Sequence, residues 1–456
     1  MKNKSLVFAS IILVCAFSPI AVKGQSMPYT FSANTAAKAS EVNENFTYLL
    51  KRFGTRKTTV NCNSGESITT ALQNYNHIVI SGICTENLSL DATSLPHRLV
   101  ILEGTSSSSD GITASDTSKA VVQIFNGGIT LKATNLEFKN GTFGILAYRG
   151  PTVVLENVSV KDNTGDGIHL GGTVYGKIND STVKDNGGHG IYAGFSSMIS
   201  MSGNTISGHT SESSILITTS SAAYIVKNSI TNGKNCAIEV NRSSSAIVGA
   251  EPDASGNSQG NTIQSADTGM KVKNSSHVKA QYNTINLNSE TQVWINGGSS
   301  VKIEGGSITG NSSYEAIKVN NSTLTLADVT ISGGQQGIAA VFNSTVRLEG
   351  GNTISGNTEN GVRMYDSTMF QYNGVGSTTI ESNTNAEISA RRSYLDLDNV
   401  TVTGSSGSDE IELDYGSYLE LGPGSSVTGT VECGNKAPDN GTFVNDSGTA
   451  VTTSGC

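Results

Sequence analysis

Residues 157–168, NVSVKDNTGDGI, return in altered form 23 residues later as DSTVKDNGGHGI at residues 180–191. Each copy has one apolar residue between polar neighbours, then a turn rich in Asn and Gly, and then an isoleucine. Alternation of apolar and polar residues is typical of a short β-strand, and Gly and Asn favour turns. The unit therefore predicts a strand, a turn and a second strand.

The same unit recurs along most of the chain. The first apolar residue of each unit, called the anchor, follows the previous one after 22 to 26 residues, with one longer step of 33. The anchors are Phe138, Val160, Val183, Ile206, Ile230, Ile263, Ile285, Ile308, Ile331, Ile354, Ile380 and Val402. A second apolar position follows after seven to nine residues, and most units have a third. Three short strands per coil, with coils stacked about 4.8 Å apart, would enclose one continuous core.

These repeats resemble those of the right-handed parallel β-helix superfamily, the pectate-lyase-like fold, over residues 58–430. The segment from Val60 to Cys84 is similar to the first coils of exported bacterial members. The resemblance implies an all-β fold: a right-handed, three-faced parallel β-helix, or β-solenoid, here with a short N-terminal helical segment. It does not imply one activity, because a fold of this kind supports many chemistries.

The two ends of the chain are predicted to differ from the solenoid. Residues 1–24 combine basic residues with a short apolar run, which predicts a signal peptide, and no later stretch predicts a membrane span. Residues 25–57 predict a linker and an amphipathic helix, within 36–53, that either caps the first coil or forms an oligomerising neck. Residues 431–456 predict a C-terminal cap. We expect a protein that is secreted or at the cell surface, with the periplasm as an alternative, and a monomer or a homo-oligomer.

Five cysteines follow the predicted signal peptide. Export to an oxidising compartment favours disulfides. Pairing by position joins Cys62 to Cys84 and Cys433 to Cys456, which would close the two ends of the stack. Each disulfide would stabilise the fold by about 3 kcal/mol. Cys236 is left over and is predicted to be an inert thiol.

Composition narrows the classes of partner. Only 15% of the residues are charged, and the formal net charge is −9. Removal of Lys2, Lys4 and Lys23 with the signal peptide would change this to −9 − 3 = −12. An acidic chain without a basic face is not expected to bind nucleic acid. No motif indicates a nucleotide or redox cofactor.

Asparagine recurs three residues after the anchor in half of the units. The positions are Asn163, Asn186, Asn288, Asn311, Asn357 and Asn383. Amide side chains stacked at a turn can bond to their neighbours, so we interpret this column as architecture.

One outward column combines aromatic and charged residues. The position after the second apolar residue is occupied by His169, Tyr192, Glu239, Lys271, Trp294, Lys318 and Arg363. Aromatic rings stack on sugar rings, and Lys and Arg pair with uronate carboxylates. The predicted carbohydrate-binding residues are Tyr192, Lys271, Trp294, Lys318 and Arg363, and the predicted partner is a polysaccharide or cell-surface glycan. An ordinary solvated sheet face is the alternative.

Asp166, His169, Asp185 and His189 are the candidate catalytic residues, because stacked turns would bring them to one edge. Carboxylates beside imidazoles can act as general acids and bases or bind a cation. Gly188-His189-Gly190 is similar to one motif of the polygalacturonases in the superfamily. The paired aspartates and the Arg-x-Lys of that family are absent, which argues against a polygalacturonase site.

Acidic residues gather near the C-terminal end. Glu387 and Glu410 are predicted to share an outward column, with Glu412 close by. Like charges stacked this closely would be relieved by a hard cation such as Ca²⁺ or by a raised carboxyl pKa. Protection of the last coil against edge pairing is the alternative explanation. Apart from this Ca²⁺ site, no cofactor is predicted.

Three classes of function remain. The first is a non-catalytic β-helix protein that binds glycans. The second is a polysaccharide lyase or glycoside hydrolase that acts on acidic polysaccharides. The third is an oligomeric adhesin or tailspike-like surface protein. Because no complete catalytic motif is present, we take the first as the leading hypothesis.

Overall fold

The structure is a computed structural model that describes residues 38, 40–45, 55–372, 376–404, 410–434 and 441–456. The predicted signal peptide and most of the predicted segment 25–57 lie outside these residues. Residues 40–45 are helical, and the Val42 N–H donates to the Lys38 carbonyl at 3.1 Å. They are part of the helix predicted within 36–53. Residues 1–54 and 55–456 form separate units.

Residues 55–456 form a parallel β-solenoid with three sheets, which confirms the predicted fold class. We name the sheets A, B and C in the order in which each coil enters them. The described residues contribute 17 strands to sheet A, 15 to sheet B and 16 to sheet C.

The strands of sheet A are Lys57–Asn61, His77–Ser81, Leu99–Glu103, Thr130–Thr134, Thr152–Glu156, Tyr175–Asn179, Met198–Ser202, Ala222–Val226, Ser245–Val248, His277–Gln281, Ser300–Glu304, Thr323–Ala327, Thr345–Glu349, Thr368–Gln371, Tyr394–Leu397, Tyr418–Leu421 and Thr442–Asn445. Those of sheet B are Ile83–Thr85, Gly111–Thr113, Glu137–Lys139, Ser159–Lys161, Thr182–Lys184, Thr205–Ser207, Ser229–Thr231, Thr262–Gln264, Thr284–Asn286, Ser307–Thr309, Thr330–Ser332, Thr353–Ser355, Thr378–Glu381, Val400–Thr403 and Ser426–Thr428. Those of sheet C are Leu88–Asp91, Val122–Phe125, Ile145–Tyr148, Ile168–Gly171, Ile191–Gly194, Ile215–Ile217, Cys236–Val240, Thr268–Val272, Val293–Asn296, Ile317–Asn320, Ile338–Val341, Val362–Tyr365, Ile388–Arg391, Ile411–Asp414, Thr430–Cys433 and Thr452–Ser454.

Two short helical segments lie in the first coil. Cys62–Ser64 is a 3₁₀ turn, and Ile68–Ala71 is a single α-helical turn. The Ser67 hydroxyl caps this turn by accepting from the Thr70 N–H at 3.2 Å. Ile68 and Leu72 are buried in the core. Within the described part of the chain, no helix has the length and apolar character needed to cross a membrane.

The anchors stack directly on one another. Val160 pairs with Val183, and Val183 pairs with Ile206 in the next coil. None of the twelve anchors is more than 2% exposed, and all belong to one apolar core that runs through the solenoid. The sequence period is therefore the coil length, as predicted.

Amide ladders line two corners of the coil. At the corner between sheets B and C, Asn163 Nδ2 donates to Asn186 Oδ1 at 2.9 Å, which confirms the predicted stacking there. Asn311 is an exception, because its amide donates to the Ser289 carbonyl at 3.2 Å. A second ladder, between sheets A and B, was not predicted. It consists of Asn204, Asn228, Asn261 and Asn283, each bonded to the next at 2.8 to 3.0 Å.

Both predicted disulfides are present, Cys62–Cys84 and Cys433–Cys456. The segment predicted as a C-terminal cap is itself part of the solenoid, because Thr442–Asn445 pairs in sheet A and Thr452–Ser454 pairs in sheet C. Cys236 is fully buried, and this burial raises the pKa of its thiol to about 12. The thiol is therefore protonated and unreactive at neutral pH.

His209 occupies the amide position of its coil, three residues after Ile206, and is only 1% exposed. Burial lowers the pKa of its imidazole to about 4. The nearby carbonyls of Val183 and Asn186 oppose this only in part, since neither ring nitrogen has a hydrogen-bond partner of normal geometry. In the unfolded chain, the His209 imidazole binds a proton below its ordinary pKa of 6.5. In the folded protein, the same imidazole stays neutral down to about pH 4. Stability therefore falls as the pH decreases from 6.5 towards 4.

We expect His209→Asn to reduce this acid sensitivity, because an amide fits the ladder and does not titrate. Between pH 7 and pH 4, His209 lowers the free energy of unfolding by at most about 3 kcal/mol, and the variant should avoid this loss. Thermal unfolding across this pH range measures it, with the exposed His277→Asn as the matched control. An unchanged pH profile in His209→Asn would contradict the role given to this histidine.

Candidate functional site

The five predicted carbohydrate-binding residues lie in one outward column of sheet C. This column, which we call the sheet C column, contains His169, Tyr192, Leu216, Glu239, Lys271, Trp294, Lys318, Ala339 and Arg363 in successive register. Eight steps at about 4.8 Å give a length of about 38 Å. The parallel register, which pairs residues one coil apart, produces this alignment.

Aromatic rings cluster at the N-terminal end of the column. The rings of His169 and Tyr192 are parallel, with centroids 4.1 Å apart. Phe143 and Tyr148 contact the same imidazole, with centroids 5.4 and 5.3 Å away. A Cβ added at Gly171 would collide with the Tyr148 ring. The glycine therefore lets this ring lie flat along the sheet.

A chain of hydrogen bonds links three side chains of this cluster. Asp166 Oδ2 lies 2.7 Å from His169 Nδ1, and the Tyr148 hydroxyl lies 2.7 Å from His169 Nε2. Because a carboxylate only accepts, Nδ1–H donates to Asp166 and Nε2 accepts the phenol proton. Burial, together with the charge of Asp166, raises the pKa of Tyr148, so the phenol remains protonated at neutral pH.

The structure brings together part of the predicted catalytic group. Asp166 Oδ1 also accepts a hydrogen bond from the backbone N–H of His189 at 2.7 Å, so Asp166, His169 and His189 are neighbours. The His189 ring, however, lies with Nδ1 3.1 Å from the Ser213 carbonyl. Asp185 has no hydrogen bond or ion pair to this group among the described residues. Asp185 Oδ2 lies 3.7 Å from Lys184 Nζ.

Sequence reasoning missed Tyr148. The residue lies one coil before His169 and opposite Gly171 in register. Its ring reaches the imidazole because Gly171 leaves the space open. The glycines at 171 and 194, at a position where other coils have side chains, were the signal that could have indicated an adjacent large ring.

Cationic side chains dominate the middle of the column. Lys271 Nζ lies 4.3 Å from the Trp294 ring centroid, a cation–π contact. Lys318 is paired with Glu315 at 3.1 Å. Across the described part of the chain, neither Lys271 nor Arg363 has an ion-pair partner. These two cations are therefore available to an anionic ligand.

Glu239 belongs to the column but is not presented to solvent, which corrects the sequence interpretation. It is 5% exposed because Lys273 covers it, with Nζ 2.8 Å from Oε1. Because the charges of Lys273 and Glu239 cancel, the Glu239 position adds no net charge to the sheet C column.

Glu387 and Glu410 lie in one column in neighbouring coils, but this column does not face outward as predicted. Glu387 and Glu410 are 0% and 7% exposed and lie at the inner corner between sheets B and C. Only Glu412 points outward, on sheet C. Glu387 accepts from the Asn383 N–H at 3.1 Å and ends that amide ladder. Sequence reasoning missed this inward placement, although the equivalent position in most other coils has a small residue such as Gly144 or Ala316.

The three glutamates therefore do not converge. Throughout the described residues, no three His, Cys, Asp or Glu side chains form a group that could hold a metal ion. Burial raises the pKa of Glu387, and the charges of Glu381 and Glu410 raise it further.

Comparison with known proteins places the chain in a family. The model described as "Right handed beta helix region" matches residues 119–260 and 251–393, more than half of the chain. The chain belongs to this right-handed β-helix family. No curated protein sequence matches it.

Several solved structures are similar to this chain. A double mutant of the periplasmic alginate epimerase AlgG is 13% identical over 79% of this chain and 88% of its own, with a TM-score of 0.47. The A-module of the Azotobacter vinelandii mannuronan C-5 epimerase AlgE4 is 14% identical over 87% and 99%, with a TM-score of 0.34. The Dettilon tailspike protein is 13% identical over 92% and 71%, with a TM-score of 0.32. These likenesses concern the fold and not the activity of this chain.

We expect Glu387→Gln to stabilise the protein at neutral and alkaline pH. The folded state holds a proton on Glu387 above the pH at which the unfolded chain releases it, so the native carboxyl costs stability as the pH rises. Gln292 already has this role in its own coil, where its Oε1 accepts from Asn288 Nδ2 at 2.6 Å. A gain of about 1 kcal/mol, or about 1 °C in Tm for a unit of this size, is expected at pH 8.

Thermal unfolding at pH 4 and pH 8 measures this gain, which should be smaller at pH 4. Glu412→Gln, on the outer face of sheet C, is the matched control. A loss of stability at pH 8 in Glu387→Gln would show that the carboxylate is needed in its charged form.

Proposed function

We propose that this protein binds an acidic polysaccharide along the sheet C column and does not cleave it. The observation that supports this most directly is the register that places Tyr192, Lys271, Trp294, Lys318 and Arg363 in one outward line. A polysaccharide is extended and repetitive, and a flat column of regularly spaced side chains matches that geometry.

The chemistry of the column fits uronate residues. Lys271 and Arg363 supply charges that are not neutralised by another side chain of the described structure, and guanidinium groups bind carboxylates through paired hydrogen bonds. Tyr192 and Trp294 supply aromatic rings of the kind that stack on sugars, each with one face already covered, by His169 and by Lys271 respectively. Because the backbone of the sheet is rigid, the conformational entropy lost on binding is confined to side chains such as Lys271 and Arg363.

The disulfides support a function outside the cytoplasm. Both disulfides join residues at the ends of the solenoid, and disulfides persist in oxidising compartments. We therefore propose secretion or display at the cell surface. Whether residues 25–53 mediate oligomerisation depends on a segment that lies mostly outside the described residues.

Binding of polygalacturonate and alginate, measured by isothermal titration calorimetry at low salt, tests the proposal. We expect the double variant Lys271→Ala/Arg363→Ala to weaken binding by about tenfold or more, since two charge-assisted contacts are lost. Affinity should also fall as salt screens the charges.

The double variant Lys132→Ala/Lys177→Ala is the matched control, because it removes the same charge from exposed positions of sheet A. Binding should be retained in this control. Equal losses in both double variants would show that the interaction is not located on sheet C. Failure of every uronate polymer to bind would refute the function itself.

A second candidate is an enzyme that acts on the same polysaccharide. The hydrogen-bonded chain from Tyr148 through His169 to Asp166 favours it, because a phenol, an imidazole and a carboxylate in series can move a proton. The raised pKa of Tyr148 keeps the phenol available as a proton donor. In this arrangement Asp166 holds the imidazole in the tautomer that accepts from Tyr148.

Absorbance at 235 nm, for unsaturated uronate products, and a reducing-end assay distinguish the two candidates. If the protein is a catalyst, Tyr148→Phe should reduce turnover by about 100-fold or more while binding is retained. Tyr175→Phe, which removes a hydroxyl from sheet A, is the control. The absence of turnover by the unmodified protein on all uronate polymers would leave binding as the function.

A further inference from the structure

An open cleft of 730 Å³ lies near the C-terminal end, where four successive coils pass from sheet C to sheet A. Its volume is in the range of small-ligand sites. The cleft lies at the corner between sheets C and A, next to the C-terminal end of the sheet C column, since Arg363 precedes the lining residue Asp366 by three residues. We call it the tyrosine cleft.

One wall of the tyrosine cleft is an exposed aromatic face. The rings of Tyr394 and Tyr418 are parallel, with centroids 5.1 Å apart and planes 3° apart, so Tyr418 covers one face of Tyr394. On the other side, the register partner of Tyr394 is Thr368, whose side chain is too short to cover a ring. Tyr394 is accordingly 44% exposed. The lining from the preceding coils consists of short hydroxyl side chains, Ser344, Thr345, Ser367 and Thr368.

A fixed pair of polar groups also lines the tyrosine cleft. Arg392 Nε and Nη2 donate to the two oxygens of Asp366 at 2.7 and 3.1 Å. The Arg392 guanidinium also lies 4.3 Å from the Tyr365 ring centroid, which holds it in place. Asp366 retains accepting capacity and Arg392 retains donors, because each has more sites than this pair uses. The pair can therefore both accept from and donate to hydroxyl groups.

Acidic side chains surround the aromatic wall. Asp396 and Glu420 are register partners on sheet A, two residues beyond Tyr394 and Tyr418. Burial raises the pKa of Asp396, and the charges of Glu420 and Asp398 add to this. Arg391, whose guanidinium lies 3.9 Å from the ring centroid of the lining residue Tyr415, and Arg392 oppose these negative charges, so the cleft has groups of both signs and suits a neutral ligand.

We propose that the tyrosine cleft binds a neutral sugar residue of a glycan chain. The pyranose ring stacks on the free face of Tyr394, and its hydroxyl groups bond to Asp366 and Arg392. The chain thereby has two carbohydrate sites of opposite preference: a cationic column on sheet C for acidic polysaccharide and this cleft for neutral sugar. The second site does not depend on the first.

Isothermal titration calorimetry of the full chain with hexasaccharides tests the assignment. The neutral probes are β-1,4-glucan, β-1,3-glucan, β-1,4-mannan and α-1,4-glucan, and hexagalacturonate and hexalysine are the charged probes. We expect at least one neutral probe to bind, with Tyr394→Ala weakening it about tenfold through the loss of stacking. Tyr394→Phe should retain affinity, because the ring face is kept. Asp366→Asn should weaken binding through the hydroxyl contacts.

Tyr175→Ala is the matched control, because Tyr175 occupies the same first position of a sheet A strand and is 43% exposed. It should bind the neutral probe as the unmodified chain does, and so should Trp294→Ala, which alters only the sheet C column. Thermal unfolding of Tyr394→Phe and Asp366→Asn separates loss of binding from loss of folding. The assignment is overturned if no neutral probe binds, if Tyr394→Ala and Tyr175→Ala have equal effects, or if a charged probe binds in a Tyr394-dependent manner.

Discussion

Backbone hydrogen bonds between parallel strands of successive coils are the interaction on which the rest of this structure depends. They fix each residue opposite a residue one coil away, as in the pairing of Val160 with Val183. Because the pairing repeats with the coil, any chemical property repeated in the sequence becomes a continuous line in space. The core, the amide ladders and the outward columns are three consequences of this one constraint.

At the corners of the coil, side-chain amides form hydrogen bonds to the polar backbone groups that the sheets leave unpaired. Buried amides such as Asn228 each bond to the next coil and to a backbone carbonyl, so few polar atoms at these corners lack partners. Two buried ionisable groups with altered pKa values belong to the corner between sheets B and C: His209 replaces the amide in its coil, and Glu387 ends the ladder by accepting from Asn383. Each has an electrostatic cost, because burial opposes its charged form.

The outer surface has the opposite character, because outward residues are free to differ between coils. Sheet C has Lys271 and Arg363 without ion-pair partners in the described structure, whereas the last strands of sheet A have Asp396 and Glu420 side by side. The solenoid thus presents a local cationic patch on sheet C and a local acidic patch on the last strands of sheet A. This separation is compatible with simultaneous contact to chemically different parts of a glycan.

The sequence by itself determined the coil length, the three strands per coil, the buried anchors, both disulfides and the membership of the sheet C column. Each of these follows from periodicity, since a residue's position in its repeat defines its face and its neighbours. Only the tertiary structure decided which columns are solvent-exposed near the corners, where Glu387 turns inward and Glu239 is covered by Lys273. It alone joined Tyr148 to His169 and formed the tyrosine cleft. These features depend on side-chain direction and on the space left by small residues such as Gly171 and Thr368, which no repeat spacing specifies.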